Sequence, residues 1–305
     1  MKQLSVGTLP SPQVILGCMR IAGRERASVE TLIRTALDLG VNFFDHADIY
    51  GRGESEAFFG TVYDLKTPAS REKVIVQSKC GIVPGKYYDF SKAHILEAVD
   101  GSLKRLNTAY LDILLLHRPD NLMEPEEIQE AFTALHESGK VRAFGVSNFS
   151  AMTIELLKTA VTFPVVANQM QYSPVHAYLT SESTAANTAR DDAASRSGGL
   201  LEYCRIHGIR LQAWSPFQYG DIKGVYVDNP AYAAVNAALQ SLADKYGITK
   251  TGAVAAWIAR HPAGIQLVAG TTGPDRLKEI VAGAGVTVTR QEWYDVLAAG
   301  GSRLA

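Results

Sequence analysis

Short apolar runs alternate with amphipathic stretches along nearly the whole chain. VILGC (14–18) is an apolar run bounded by turn residues, and the stretch after it, SVETLIRTALDLG, places Val29, Leu32, Ile33, Ala36 and Leu37 on one helical face. Ser28 is of the type that caps such a helix, and Gly40 stands where a closing glycine belongs. The same order then recurs. NFFD (42–45), KVIVQSK (73–79) and LDILLLH (111–117) read as strands, followed by helices near ESEAFFGTVY, from Ser91 to Leu106 and from Pro125 to Ser138. The second half continues with strand RAFGVS (142–147) and helix 150–160, and strand VVANQ (165–169) with a helix ending at Gly208. RLQAWS (210–215) precedes helices between Pro230 and His261, and QLVAG (266–270) precedes a helix at Asp275–Ala282 and a closing helix in TRQEWYDVLAA. Eight strands alternating with at least eight helices, each strand a continuous apolar run, predict a parallel sheet buried on both faces. Eight units fit a (β/α)8 TIM barrel in the α/β class better than a doubly wound sheet, and 305 residues fit one such domain spanning 1–305.

One segment breaks the rhythm. TSESTAANTARDDAASRSGG (180–199) has only alanine for apolar content, so 176–198 is expected to be a mobile loop over the barrel mouth. Composition narrows the remaining classes. With 47% hydrophobic and 20% charged residues the chain can bury a core, and a net charge of −1 gives no overall attraction to nucleic acid or an anionic membrane. No apolar run approaches the roughly 18 residues that span a bilayer, and the first residues lack a secretory h-region, so a cytoplasmic protein is expected. Cys18, Cys80 and Cys204 form no CxxC pair and read as structural thiols. Neither GxGxxG after the first strand nor GxxxxGK[ST] occurs, so a dinucleotide would have to bind without those loops.

Barrel active sites lie at the C-terminal ends of the strands. Here those ends carry Asp45 with Tyr50 five residues on, Lys79, His117, Ser147 and Asn148, Asn168 and Gln169, and Trp214 with Ser215. Singly each has an ordinary structural explanation. Together they do not, because a lysine ending a buried run is costly unless paired, and Asp45 one strand away is its natural partner. An ammonium beside a phenol would lower the phenol's pKa, making Tyr50 a proton donor, with His117 to orient a carbonyl.

GVNFFDHADIYG, VIVQSK, LDILLLHRPD, FGVSNFS, ANQMQYSP and AWSPF resemble, in order, the signature segments of the aldo-keto reductase family, over Leu16 to about Trp293. The resemblance implies a (β/α)8 barrel that reduces aldehydes or ketones with NAD(P)H, without metal or flavin. Its catalytic tetrad falls on Tyr50, Asp45, Lys79 and His117. It also implies that Ser147, Asn148 and Gln169 hold the nicotinamide carboxamide and that Trp214 stacks on the ring. Ser215, Pro216 and Phe217 then lie near the pyrophosphate, with Thr271, Thr272 and Arg276 near a 2′-phosphate and Glu279 near adenine. Met19 joins the cofactor set, and Arg20, Tyr172 and the 176–198 loop are expected at the substrate pocket. Because few residues follow the final helix, that pocket is expected to be open and permissive.

Gly270 stands where many NADPH-binding members carry lysine and Ile280 where asparagine is common, leaving Arg276 to favour NADPH, with NADH possible. His46 replaces a usual threonine or serine, and Arg118 with Asp120 can form a local pair. Three other readings compete: a Schiff-base aldolase using Lys79, a metal-dependent barrel using Asp45, His46, Asp48 and His117, and an NADPH-binding sensor with little turnover. Oligomeric state and physiological substrate are not legible in the chain.

Overall fold

The computed structural model describes residues 1–186, 188, 194–220 and 222–304. Two short strands, β1 (Gln3–Val6) and β2 (Leu9–Pro12), form an antiparallel hairpin ahead of the first barrel strand. The strands β3 (Val14–Gly17), β4 (Phe43–Asp45), β5 (Ile75–Cys80), β8 (Leu111–Leu116), β9 (Val141–Ser147), β10 (Val165–Gln171), β11 (Arg210–Trp214) and β14 (Gln266–Ala269) close into a parallel barrel. Between them lie two further hairpins, β6 (Ile82–Val83) with β7 (Tyr87–Tyr88) and β12 (Gln218–Tyr219) with β13 (Gly224–Val225). The helices are α1 (Arg26–Asp38), α2 (Glu54–Val62), α3 (Pro68–Arg71), α4 (Lys92–Leu106), α5 (Pro125–Glu137), α6 (Ala151–Leu157), α7 (Tyr178–Ala185), α8 (Leu200–Ile206), α9 (Ala233–Tyr246), α10 (Lys250–Arg260), α11 (Pro274–Ala284) and α12 (Arg290–Ala299). The eight apolar runs are the eight barrel strands, so the single (β/α)8 barrel read from the sequence is the architecture.

Alternate residues of each strand face opposite ways, and this divides the core in two. One set, including Val14, Leu16, Phe44, Val76, Leu114, Leu116, Phe144, Val146, Leu211 and Leu267, packs outward against the helices. The other set, Ile15, Phe43, Ile75, Ile113, Leu115, Ala167 and Val268, fills the barrel interior, where Val6 of the N-terminal hairpin joins it. Two residues further along the same inward rows come Asp45 after Phe43, Gln77 and then Lys79 after Ile75, and Gln169 after Ala167. The apolar interior thus gives way to polar side chains toward the C-terminal rim.

Several details differ from the sequence reading. Ser28 does not cap α1: Arg26 is already helical, held by Glu30 (2.7 Å) and by the carbonyl of Thr61 (2.7 Å), and the cap position falls on Glu25. The described part of 176–198 is not structureless. It contains α7, and Glu182 ties the segment together by accepting from Ser195, Ser197 and the amide of Gly199. The expected mobility of that segment falls partly on residues 187 and 189–193, outside the described ones.

Candidate active site

Lys79 is the centre of the rim. Its side chain is fully buried (0% exposed), yet its ammonium has three acceptors: Asp45 Oδ2 at 2.7 Å, the carbonyl of His46 at 2.8 Å and Tyr50 Oη at 3.0 Å. An ammonium has three N–H donors, so all are used. Burial pushes the Lys79 pKa down, but Asp45 and Tyr50 outweigh it and hold the group above the ordinary lysine value. Because Tyr50 Oη accepts from Lys79, its own proton is free to point into the cavity that Tyr50 lines. Burial dominates the phenol as well: Tyr50 lies above its ordinary pKa despite the pull of Lys79. This corrects the expectation of a lowered value, because desolvation of the phenolate outweighs one nearby ammonium.

His117 meets Tyr50 edge-on, ring centroids 6.0 Å apart at 83°. Burial, then Lys79 and Arg118, hold its pKa well below 6.5, so the imidazole is neutral at pH 7. Its Nδ1 is buried without a hydrogen-bond partner.

Asp45 is held from the opposite side by two glutamines, Gln77 Nε2 at 2.6 Å and Gln169 Nε2 at 3.0 Å, both to Oδ1. The same two amides donate to Gln212 Oε1 at 3.0 and 3.1 Å, and Gln212 Nε2 donates on to Gln77 Oε1 (3.3 Å) and Gln266 Oε1 (3.2 Å). Gln266 ends the chain on Ser11 Oγ (2.6 Å) and the carbonyl of Pro12 (2.7 Å). Four buried glutamines therefore run from the rim to the N-terminal hairpin. Gln77, Gln212 and Gln266 were missed in the sequence, although a signal exists: with Gln169, they interrupt apolar strands at positions of inward parity.

The cavity above this cluster measures about 460 Å³ and is lined by the predicted Met19, Asp45, Tyr50, His117, Ser147, Asn148, Gln169, Trp214, Ser215, Pro216, Phe217, Thr271 and Arg276. Arg20 also lines it, reaching the carbonyl of Gly270 at 3.4 Å. Trp214 Nε1 donates to Asn148 Oδ1 (3.1 Å), Asn148 Nδ2 to Ser147 Oγ (2.8 Å), and Ser147 Oγ to the carbonyl of Gln169 (2.9 Å). Asn148, Ser215 and Ile222 line the cavity with φ of 62°, 49° and 63°, a left-handed backbone that costs on the order of 1 kcal/mol or more per non-glycine residue and concentrates at ligand sites. Ile222 belongs to the β12–β13 hairpin, which contributes Gln218 and Val225 to the wall and was not foreseen.

Not every expected residue is present. Thr272 and Glu279 are outside the cavity lining, and Glu279 accepts from the Thr249 hydroxyl at 3.1 Å. Tyr172 is 1% exposed and stacks on Trp257 (5.1 Å, 23°), so it supports the scaffold and does not line the pocket. No described residue of 176–198 lines the cavity. Arg118 does, but without Asp120, whose two oxygens accept from the amides of Phe90 (3.0 Å) and Leu122 (2.9 Å). His46 is buried with neither ring nitrogen hydrogen-bonded, its ring edge-on to Phe59. Among the described residues no three His, Cys, Asp or Glu side chains are placed to hold a metal ion, and no helix is long and apolar enough to cross a membrane. Cys18, Cys80 and Cys204 are buried free thiols with raised pKa.

A closed parallel barrel with a buried lysine, tyrosine and aspartate converging on one cavity at its C-terminal rim has the form of a barrel enzyme. The chain belongs to the aldo/keto reductase family, whose model matches residues 13–299, and so to an oxidoreductase family that uses nicotinamide cofactors. It is 34% identical to a 6-dehydroglucose reductase of Agrobacterium fabrum, over 93% of this chain and 92% of that protein. It is 35% identical to the uncharacterized oxidoreductase YcsN of Bacillus subtilis, over 90% and 88% respectively. A thermostable aldo-keto reductase solved with the inhibitor epalrestat shares the fold with a TM-score of 0.77 at 23% identity, over 98% of this chain and all of that one.

Proposed function

We propose that this protein reduces an aldehyde or ketone to the alcohol, with NADPH as hydride donor and Tyr50 as general acid. The observation that carries the reading is the Lys79 ammonium bridging Asp45 Oδ2 and Tyr50 Oη, which leaves the tyrosine's proton directed at the cavity. The cavity residues suit the cofactor. Trp214 offers an aromatic face, and Gln169, with both amide protons committed to Asp45 and Gln212, offers Oε1 alone to accept from a carboxamide NH₂. Thr271 and Arg276 stand at the N-terminus of α11, where backbone amides and the helix dipole favour phosphate. Arg276, with no acidic partner among the described residues, is the residue suited to a 2′-phosphate and hence to NADPH over NADH.

A bound reduced nicotinamide supplies the hydride. The protein's part is electrostatic and protonic. Tyr50 donates its proton to the carbonyl oxygen as negative charge develops there, and Lys79 stabilises the phenolate left behind. Asp45 keeps Lys79 charged and in place, and neutral His117 donates a hydrogen bond that orients the oxygen. A Schiff-base role for Lys79 is disfavoured, because a nucleophilic amine needs a lowered pKa and a free lone pair, and here the pKa is raised and every N–H has an acceptor. The name of the Agrobacterium relative supports carbonyl reduction as the reaction class.

The test is consumption of NADPH and NADH against a panel of aldehydes and ketones, wild type beside Tyr50→Phe. Turnover by wild type, with a loss of about a hundred- to ten-thousand-fold in kcat for the variant at nearly unchanged cofactor affinity, is the expected result. Equal loss of turnover and cofactor binding would make Tyr50 a structural post. Cofactor binding without turnover on any carbonyl would point to a sensor.

A further inference from the structure

The described charged side chains that line the cavity are Arg20, Asp45, Arg118 and Arg276, and Asp45 is neutralised by Lys79. Three guanidinium groups therefore face one cavity without a carboxylate partner among the described residues. Two of them have an explanation in the cofactor. Arg276 lies in the first turn of α11, after β14, and Arg20 reaches the carbonyl of Gly270 beside the same strand end, so both stand where phosphate is expected.

Arg118 has no such explanation. It follows β8, and around the ring β10-β11-β14-β3-β4-β5-β8-β9 the strands β8 and β14 are four steps apart in either direction, on opposite sides of the barrel. Its natural partner two residues on, Asp120, is consumed by two backbone amides. Its guanidinium carbon lies 5.9 Å from the Trp214 ring centroid, so it leans over the mouth, next in sequence to His117. On the reading above, a substrate carbonyl sits between Tyr50 and His117, and the rest of the substrate extends toward the rim that Arg118 occupies.

We infer that Arg118 is a specificity-determining residue and that the preferred substrates are carbonyl compounds carrying a carboxylate several bonds from the reacting carbon. This rests on the proposed carbonyl reduction. A planar fork with five N–H donors matches a carboxylate with two parallel hydrogen bonds, and it stays charged at every working pH. Sequence reading overlooked this use because Asp120 stood ready as a local partner. Only the structure shows Asp120 facing the Phe90 and Leu122 amides.

The experiment compares 4-carboxybenzaldehyde with its neutral methyl ester, using kcat/KM for the wild-type enzyme, Arg118→Leu and Arg118→Lys. The quantity read is the acid-to-ester ratio, in which the intrinsic reactivity of each aldehyde cancels between variants. The ratio is expected to fall about tenfold in Arg118→Leu and to recover in part in Arg118→Lys, since Arg118 is exposed and its pairing is screened by solvent. Raising the salt from about 0.05 M to 0.5 M should reduce the wild-type ratio and leave that of Arg118→Leu nearly constant. An unchanged ratio in Arg118→Leu, with both aldehydes still reduced, overturns the assignment of Arg118 and leaves carbonyl reduction standing. Reduction of neither aldehyde, nor of any other carbonyl tested, by wild type overturns both. A loss of NADPH affinity in Arg118→Leu that matches its loss on both aldehydes assigns Arg118 to the cofactor and also overturns the inference.

Discussion

Asp45 and Asp48, three residues apart, have opposite surroundings. Asp45 is paired with Lys79 and accepts two glutamine amides, whereas Asp48 Oδ1 is buried with no hydrogen-bond partner. Burial, then Glu56, pushes the Asp48 pKa up to about 7, against smaller opposing effects from Arg105, the Ile49 amide and Lys79. An acid whose folded pKa exceeds its unfolded value of about 3.9 holds more protons folded than unfolded between those two values, so its contribution to stability falls as pH rises through that window. Asp48→Asn should therefore stabilise the protein by about 4 kcal/mol at pH 8 and change little near pH 4. Thermal unfolding at the two pH values checks this, and an equal gain at both would assign the effect to packing instead of charge. Catalysis has its own pH signature. Tyr50 lies above its ordinary value and His117 well below 6.5, so the reductive rate should show no titration of either group between about pH 7 and 9.

At the scale of elements, α10 and α11 cross at Gly252 and Gly283, where a Cβ on Gly283 would lie 2.0 Å from the Gly252 carbonyl oxygen. Gly283→Ala must push the helices apart, and overpacking of this kind typically costs about 1–3 kcal/mol. Because α11 carries Arg276 in its first turn, the displacement should also weaken NADPH binding more than it lowers kcat. A lower Tm together with a raised cofactor Kd is the expected pair, and an unchanged Tm would reject it. This crossing is silent in the sequence, since two glycines about thirty residues apart declare nothing about contact. The barrel strands were legible because each is a short apolar run and six of them end at a polar rim residue, whereas the caps of α4, α6 and α12 at Ser91, Ser150 and Thr289 were not read. The three hairpins have strands of two to four residues, too short for a period to show. Helix α7, from YLTSESTA, has no apolar stripe to reveal it.

Across the whole molecule, the glutamine chain joins the floor of the barrel to its chemistry. Each of the four amide nitrogens, on Gln77, Gln169, Gln212 and Gln266, donates twice within the barrel, so no buried N–H is left unpaired. Asp45, Lys79 and His117 were legible because they end apolar runs, with Tyr50 five residues on, whereas Gln77 and Gln212 lie mid-strand and Gln266 opens one, where parity alone separates an inward glutamine from an outward one. Gln212 is the hub, bonded to three of the others and 0% exposed. Gln212→Leu keeps the volume close but orphans an amide proton on Gln77 and on Gln169 and the carbonyl oxygens of Gln77 and Gln266, at about 1–3 kcal/mol for a buried group left unmet. The variant should lose about 3 kcal/mol or more of stability. It should also lower kcat, because Gln77 and Gln169 then no longer fix Asp45 Oδ1 and the lysine that depends on Asp45. Phe132→Leu, in the outer shell away from the cavity, provides the comparison. If both variants lose stability and only Gln212→Leu loses kcat, the glutamine chain positions the site. If kcat falls equally in both, the chain acts only as scaffold.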